Sequence, residues 1–128
     1  MAIIRPFKGL RPLKEMAEKV ATLPYDVFST EELAQFRNNP YHFFHVTRSE
    51  IDLPENTDLQ SEIVYQTAAK NLQKMINDQV FILDSEPYYY IYEMEMNGRV
   101  QTGLVCASSL EDYNTEIIKK HEHTRPDK

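Results

Sequence analysis

The chain has 128 residues, 41% hydrophobic and 27% charged, an ordinary globular composition that fits one domain and excludes a low-complexity or disordered chain. It contains no run of about 18 apolar residues and no signal-peptide pattern, so we expect a cytoplasmic protein that neither spans a membrane nor is exported. The net charge of -6 opposes attraction to nucleic-acid phosphates, so we expect no nucleic-acid partner.

The first segment of the chain combines a short strand with a proline-framed loop. Residues 3–12 begin as a strand and then break, because two prolines remove ladder donors. Residues 13–21 can form two helical turns with an apolar face. The proline at position 24 then predicts a turn at residues 24–26.

A second helix is predicted from Ser29 to about Arg37. Ser29 and Glu32 have the spacing of a capping box, in which each side chain bonds the other residue's backbone N–H. Residues 43–47 are short and rich in β-forming side chains, so they predict a buried strand, which a polar loop follows.

The clearest predicted helix runs from Thr57 to about Asp78. Thr57 and Gln60 repeat the capping-box spacing. We expect the helix to cover a sheet with its apolar stripe. That stripe consists of Leu59, Ile63, Tyr65, Ala68, Ala69, Leu72, Met75 and Ile76.

A long β-hairpin is predicted after a short strand at residues 80–83. Asn97 and Gly98 separate two strand-like runs, 88–96 and 99–107. The Asn-Gly pair suits a type I′ turn, because both central residues need positive φ. A further helix-like segment covers 109–120.

These elements predict an α+β fold with a mixed sheet, a long β-hairpin and covering helices. Helices and strands interleave without a repeated βαβ period, which argues against a doubly wound fold. We expect a single domain over residues 1–128 that forms the N-terminal part of a longer protein. An exposed hairpin edge can pair with a second chain, so a homo-oligomer stays open.

The segment 119–125 holds the most chemically suggestive residues of the chain. It combines cations with His121, Glu122 and Thr124, a mixture that can bind phosphate and move a proton. The alternative is a frayed, solvated terminus. With only three glycines, neither a Walker-type phosphate loop nor a dinucleotide fingerprint is possible.

No metal site is predicted from the histidines. His121 and His123 are two residues apart, unlike the paired ligands of a zinc-binding helix. His42 and His45 are three apart, and on the predicted strand they face opposite sides. The single cysteine, Cys106, lies in an apolar stretch and is interpreted as an inert thiol.

Two earlier segments are candidates for ligand contacts. Arg5, Lys8 and Arg11 form a basic loop that either holds an anionic ligand or is simple surface charge. The segment 24–27, Pro-Tyr-Asp-Val, is either a substrate-contacting turn or a rigid connector.

Three motifs together resemble a widespread bacterial and archaeal domain-of-unknown-function family. They are Arg-Pro-Phe-Lys-Gly-Leu-Arg-Pro at 5–12, Pro-Tyr-Asp-Val at 24–27 and His-Glu-His-Thr at 121–124. They occur in the family's order, and the resemblance covers nearly the whole chain. The family is distantly similar to the ParB and sulfiredoxin-like fold, which includes nucleotide-dependent free-serine kinases.

The resemblance implies a phosphotransferase that uses ATP or ADP with Mg²⁺ on a small hydroxyl substrate such as free serine. Glu122 would be the catalytic base, with Asp26 as the second candidate or as a substrate or metal contact. The implied nucleotide-binding residues are Arg5, Lys8, Arg11, His121 and Thr124. The alternative is a non-catalytic nucleotide-binding or protein-interaction module of a larger protein.

Overall fold

The computed structural model describes residues 1–119, which fall into two compact units. Within the described residues, unit 1 combines Met1–Gly9 with residues 83–119, and unit 2 is Leu10–Ile82. The helices are α1 (Ala17–Val20), α2 (Phe44–Thr47), α3 (Glu62–Asn77) and α4 (Leu110–Asn114), with 3₁₀ helices at Glu32–Phe36 and Ser49–Asp52. The strands are β1 (Ile4–Arg5), β2 (Leu10–Pro12), β3 (Phe81–Leu83), β4 (Tyr90–Met96), β5 (Arg99–Val105) and β6 (Ala107–Ser108).

The α+β class is confirmed, but the strands do not form the expected mixed sheet. Within residues 1–119 they form three two-stranded pairs, β1 with β6, β2 with β3 and β4 with β5. Pro6 directly follows β1 and Pro12 ends β2, so neither strand can extend its hydrogen-bonded ladder through these residues. Residues 10–12 were expected to be loop and instead form β2.

The hairpin prediction is confirmed residue by residue. Strands β4 and β5 pair antiparallel, from Met96 opposite Arg99 at the turn to Tyr90 opposite Val105 at the open end. Asn97 and Gly98 have φ values of 53° and 74°, the positive angles that a type I′ turn requires. Local backbone preference therefore fixes the register of this hairpin.

The hydrophobic core of the described residues lies in unit 2, where two clusters are buried. One contains Val20, Met75 and Val80, and the other contains Leu33, Phe44 and Ile51. Helix α3 packs on α2 and on the 3₁₀ helix Ser49–Asp52 rather than covering a sheet as predicted.

The predicted apolar face of the long helix was right for Met75 and wrong for Ile63 and Tyr65, and its predicted start was wrong. Val64 and Met75 are the buried positions of α3, whereas Ile63 and Tyr65 are exposed. The helix begins at Glu62 because Asp58 organises a separate turn before it. Its Oδ1 accepts from the amide of Gln60 at 3.0 Å, a local bond that competes with helix formation.

The predicted strand at residues 43–47 was wrong, because these residues form α2. The amides of Thr47 and Arg48 donate to the carbonyls of Phe43 and Phe44, at 3.0 and 2.8 Å. Helical geometry buries both Phe44 and His45, which a strand would have placed on opposite faces. Tertiary packing therefore overrides the β preference of this segment.

One predicted capping box forms as expected, and a cap that was not predicted forms at Ser109. Ser29 and Glu32 form the reciprocal bonds of a capping box at 2.8 and 3.3 Å, ahead of the 3₁₀ helix Glu32–Phe36. Ser109 Oγ accepts from the amide of Asp112 and caps α4, which is shorter than the predicted 109–120 segment.

Candidate functional site

The predicted site residues are distributed over both units. Arg5 and Lys8 are exposed residues of unit 1, while Arg11 lies in β2 of unit 2. Asp26 is exposed in unit 2. The predicted residues His121, Glu122 and Thr124 lie outside the described residues, so the roles assigned to them stay predictions.

Arg5 lines a cavity in unit 1 of about 320 Å³, together with Ile3, Ala107, Ser108 and Ser109. The pairing of β1 with β6 brings the lining residues together, since Arg5 lies opposite Ala107 in the ladder. The Ile3 amide is held by the buried carboxylate of Asp112 at 2.6 Å. The backbone around Arg5 is therefore fixed, and its cationic side chain is available at a cavity rim.

The residues on either side of Lys8, Phe7 and Gly9, are hydrogen-bonded to residues within the segment 84–90. Phe7 exchanges backbone hydrogen bonds with Tyr88 at 2.9 and 3.1 Å. The Gly9 amide donates to the hydroxyl oxygen of Tyr90 at 2.6 Å, and that hydroxyl donates to Asp84 Oδ2 at 2.6 Å. Lys8 is thus displayed as an exposed cation on an immobilised backbone.

Gly9 is required by the close approach of the Tyr90 side chain. A Cβ at position 9 would lie 2.6 Å from the Tyr90 hydroxyl oxygen, well inside van der Waals contact. The amide and carbonyl of Gly9 are both used, since the Asp84 amide donates to Gly9 O at 3.0 Å. The glycine of the opening motif therefore serves packing of the loop, rather than direct ligand contact.

The turn at residues 24–27 is held by hydrogen bonds from the guanidinium of Arg48 to backbone carbonyls. The Val27 amide donates to the Pro24 carbonyl at 3.2 Å and closes the turn. Arg48 Nη1 donates to the carbonyl of Tyr25 at 2.7 Å and to that of Phe28 at 3.0 Å. The backbone on both sides of Asp26 is thus pinned by one side chain.

Arg48 is itself oriented by a buried carboxylate. Its Nε donates to Glu50 Oε1 at 2.5 Å, and the Glu50 side chain is 8% exposed. A guanidinium paired on one edge and bonded to carbonyls on the other has little freedom to rotate. The Asp26 carboxylate therefore projects into solvent from a rigid turn, where it can ligate a hard cation or accept a proton.

The chain matches the model of a protein family over residues 4–128, and that family is described as "Protein of unknown function (DUF1015)". The chain belongs to this family. No curated protein and no solved structure is significantly similar to it. Within residues 1–119, no helix is both long and apolar enough to cross a bilayer.

In this DUF1015 chain a cavity of about 350 Å³, lined largely by aromatic rings, adjoins the turn at residues 24–27. Leu23 and Phe28, which flank the turn, line it together with Phe36, His42 and Phe44. The His42 ring stacks on Phe36 with centroids 4.4 Å apart. Burial, and secondarily the charge of His45, lower the pKa of His42, so its imidazole is neutral near pH 7.

His42 and His45 do not form a metal pair. His45 Nδ1 bonds the Asp52 carboxylate at 2.8 Å, and its Nε2 bonds the Asn39 carbonyl at 3.1 Å, so both nitrogens are occupied. His42 Nδ1 is buried without a hydrogen-bond partner among the described residues. Over residues 1–119, no group of three or more His, Cys, Asp or Glu side chains is arranged to hold a metal ion.

The sequence did not reveal the residues whose side chains hold the turn and the Lys8 loop in place. Arg48 and Glu50 lie in the segment predicted to be a polar loop, and Tyr90 lies in the strand-like run 88–96, to which no role in a site was assigned. Arg48 lies 23 residues from Tyr25, and Tyr90 lies 81 residues from Gly9. Only a signal linking distant positions could have found these contacts.

Proposed function

We propose that this chain is a nucleotide-dependent phosphotransferase that acts on a small hydroxyl substrate, with free serine as the first substrate to test. The observation that carries the proposal is the exposed carboxylate of Asp26 on a turn pinned by Arg48. Phosphoryl transfer demands positioning and charge stabilisation more than covalent chemistry from the protein. A carboxylate carried on a fixed turn loses less freedom on binding than one on a mobile loop, which suits that demand.

Asp26 is assigned the contact to the substrate hydroxyl or to Mg²⁺. Mg²⁺ is usually held in proteins by one or two carboxylates plus substrate phosphates, so one aspartate on a fixed turn is a sufficient first anchor. In the same proposal Glu122 takes the hydroxyl proton. The nucleotide phosphates of ATP or ADP would be met by Arg5, Lys8, Arg11, His121 and Thr124.

The immobilised loop around Lys8 gives the phosphate role independent support. Lys8 lies between two residues whose backbone groups are both bonded, Phe7 and Gly9. A cation held in this way pays less ordering entropy when it meets a phosphate than one on a mobile loop. We extend the proposal to a ParB and sulfiredoxin-like fold and a cytoplasmic location, on the order of the three motifs.

The binding step is tested by calorimetric titration of ATP and ADP, each with Mg²⁺, into the full chain. Wild-type protein should show saturable, Mg²⁺-dependent binding, and Asp26→Asn should weaken it because the substitution removes the charge and keeps the shape. Glu95→Gln, an exposed carboxylate on the hairpin, is the matched control and should bind as wild type does. Absence of binding by wild-type protein contradicts the proposal.

A second candidate function is a non-catalytic nucleotide-binding or protein-interaction module. The exposed hairpin favours it, since Tyr92, Met94 and Met96, which share one face of β4, are 56%, 47% and 75% exposed. Contiguous exposed apolar residues of this kind mark interaction surfaces. Saturable nucleotide binding without any phosphorylated product, over a panel of small alcohols, would favour the module over the enzyme.

A further inference from the structure

A second polar cleft lies in unit 2, and the Asp26 turn does not line it. Its volume is about 450 Å³, within the range of small-molecule sites. The side chains that matter for its chemistry are Arg37, His45, Asp52, Lys70, Asn71 and Lys74. Among the described residues of unit 2, Arg11 likewise does not line it.

A hydrogen-bonded group of His45, Asp52 and Asn71 forms one wall of the cleft. Asp52 Oδ2 accepts from His45 Nδ1 and from Asn71 Nδ2, each at 2.8 Å. His45 Nε2 meets the Asn39 carbonyl at 3.1 Å. The Asp52 carboxylate is therefore already hydrogen-bonded to two side chains inside the wall.

The remaining charges of the cleft are positive. Lys70 and Lys74 are one helical turn apart on α3, a spacing at which like charges repel and destabilise a helix slightly. Lys74 pairs with Asp78, whereas Lys70 has no hydrogen-bond or ion-pair partner within residues 1–119. Arg37 Nε donates to the Ile51 carbonyl at 2.9 Å, which anchors its guanidinium at the cleft.

This excess of cations stands against a chain whose net charge is -6. An anion between Lys70, Lys74 and Arg37 would relieve the repulsion along α3. Guanidinium and ammonium groups together recognise phosphate, through directed hydrogen bonds and as a point charge respectively.

We propose that this cleft binds a compact polyanion of the phosphate-ester class, at a site separate from the Asp26 turn. Lys70 supplies the charge that has no partner in the described structure, Lys74 and Arg37 flank it, and the wall of His45, Asp52 and Asn71 keeps the pocket rigid. The site goes beyond the proposed phosphotransfer and provides a place for a phosphorylated effector.

Inorganic pyrophosphate is the probe, titrated calorimetrically into the full chain at low salt. Wild-type protein should bind one pyrophosphate, and the Lys70→Gln/Lys74→Gln variant should bind it about tenfold more weakly or worse, because two charge-assisted contacts are removed. The matched control is Lys14→Gln/Lys19→Gln, which removes two exposed lysines elsewhere in unit 2 and should leave the affinity unchanged.

Amide chemical-shift changes on adding pyrophosphate locate the site and should centre on Thr67, Lys70 and Asn71. No binding by wild-type protein, equal weakening in both double variants, or shifts centred elsewhere each overturn the inference. Asp26→Asn should retain full pyrophosphate affinity. Failure of the phosphotransferase proposal is therefore recognised separately, since it removes nucleotide turnover and leaves this binding intact.

Discussion

The guanidinium of Arg48 donates a 2.7 Å hydrogen bond to the carbonyl oxygen of Tyr25, one residue before the exposed Asp26. The same nitrogen reaches Phe28 O, so a single side chain bridges the two ends of the turn. The Pro-Tyr-Asp-Val turn at 24–27 thus owes its shape to a residue outside it. This relationship is the basis for treating the turn as a preorganised site rather than a connector.

Replacing Arg48 with alanine should destabilise the fold by about 3 kcal/mol or more, because Glu50 would remain buried as an unpaired charge. Urea denaturation measures the change. Arg99→Ala, at the exposed end of the hairpin, is the control and should change stability by less than about 0.5 kcal/mol. An Arg48→Ala variant as stable as this control would show that the contacts of Arg48 contribute little to the free energy of unfolding.

Gly9→Ala should destabilise the protein by about 1–3 kcal/mol, because the new Cβ would overlap the Tyr90 hydroxyl and ring. Thermal unfolding provides the measurement. At Gly103 the nearest atom to an added Cβ is the Tyr92 carbonyl at 3.8 Å, an ordinary contact. Gly103→Ala should therefore be neutral or mildly stabilising. Equal effects at both glycines would contradict the packing role of Gly9.

The buried His42 predicts a pH dependence of stability with a defined sign. Its pKa is lowered in the folded protein by burial and then by the charge of His45, so below about pH 6.5 the unfolded chain binds more protons than the folded one. The contribution of His42 to stability is therefore present above pH 6.5 and lost as pH falls through the folded pKa.

Urea midpoints between pH 8 and pH 5 should decline more steeply for wild-type protein than for His42→Phe, which keeps an aromatic ring against Phe36 and cannot titrate. Other titrating groups act in both proteins and cancel in the comparison. Parallel pH profiles for the two proteins would rule out His42 as the source of the slope.

Those parts of the fold that depend on local backbone chemistry were predictable from sequence. The Asn97-Gly98 turn and the Ser29–Glu32 capping box involve residues within three positions of each other, and both formed as expected. The strand prediction for residues 43–47 was wrong because a four-residue helix is too short to show a helical periodicity, while the composition of the segment favours a strand. Burial of Phe44 among other aromatic rings decides the outcome.

For the candidate site, the sequence identified the exposed residues but not the distant side chains that hold their backbone in place. The Pro-Tyr-Asp-Val turn was recognisable because proline and aspartate favour turns locally. Its fixation by Arg48, and that of Gly9 by Tyr90, arise from contacts between distant positions. The cationic cleft was missed for the same reason, since its residues come from the segments around Arg37, His45 and Lys70.

Phosphate transfer itself is the most direct test of the central claim, followed by ³¹P nuclear magnetic resonance. The full chain is incubated with serine, Mg²⁺ and either ATP or ADP, alongside Asp26→Asn and the Glu95→Gln control. We predict a growing phosphate-monoester signal for wild type and Glu95→Gln, and a rate reduced about 10²-fold or more for Asp26→Asn. No monoester from serine or any other small alcohol, or an unchanged rate in Asp26→Asn, would contradict the account.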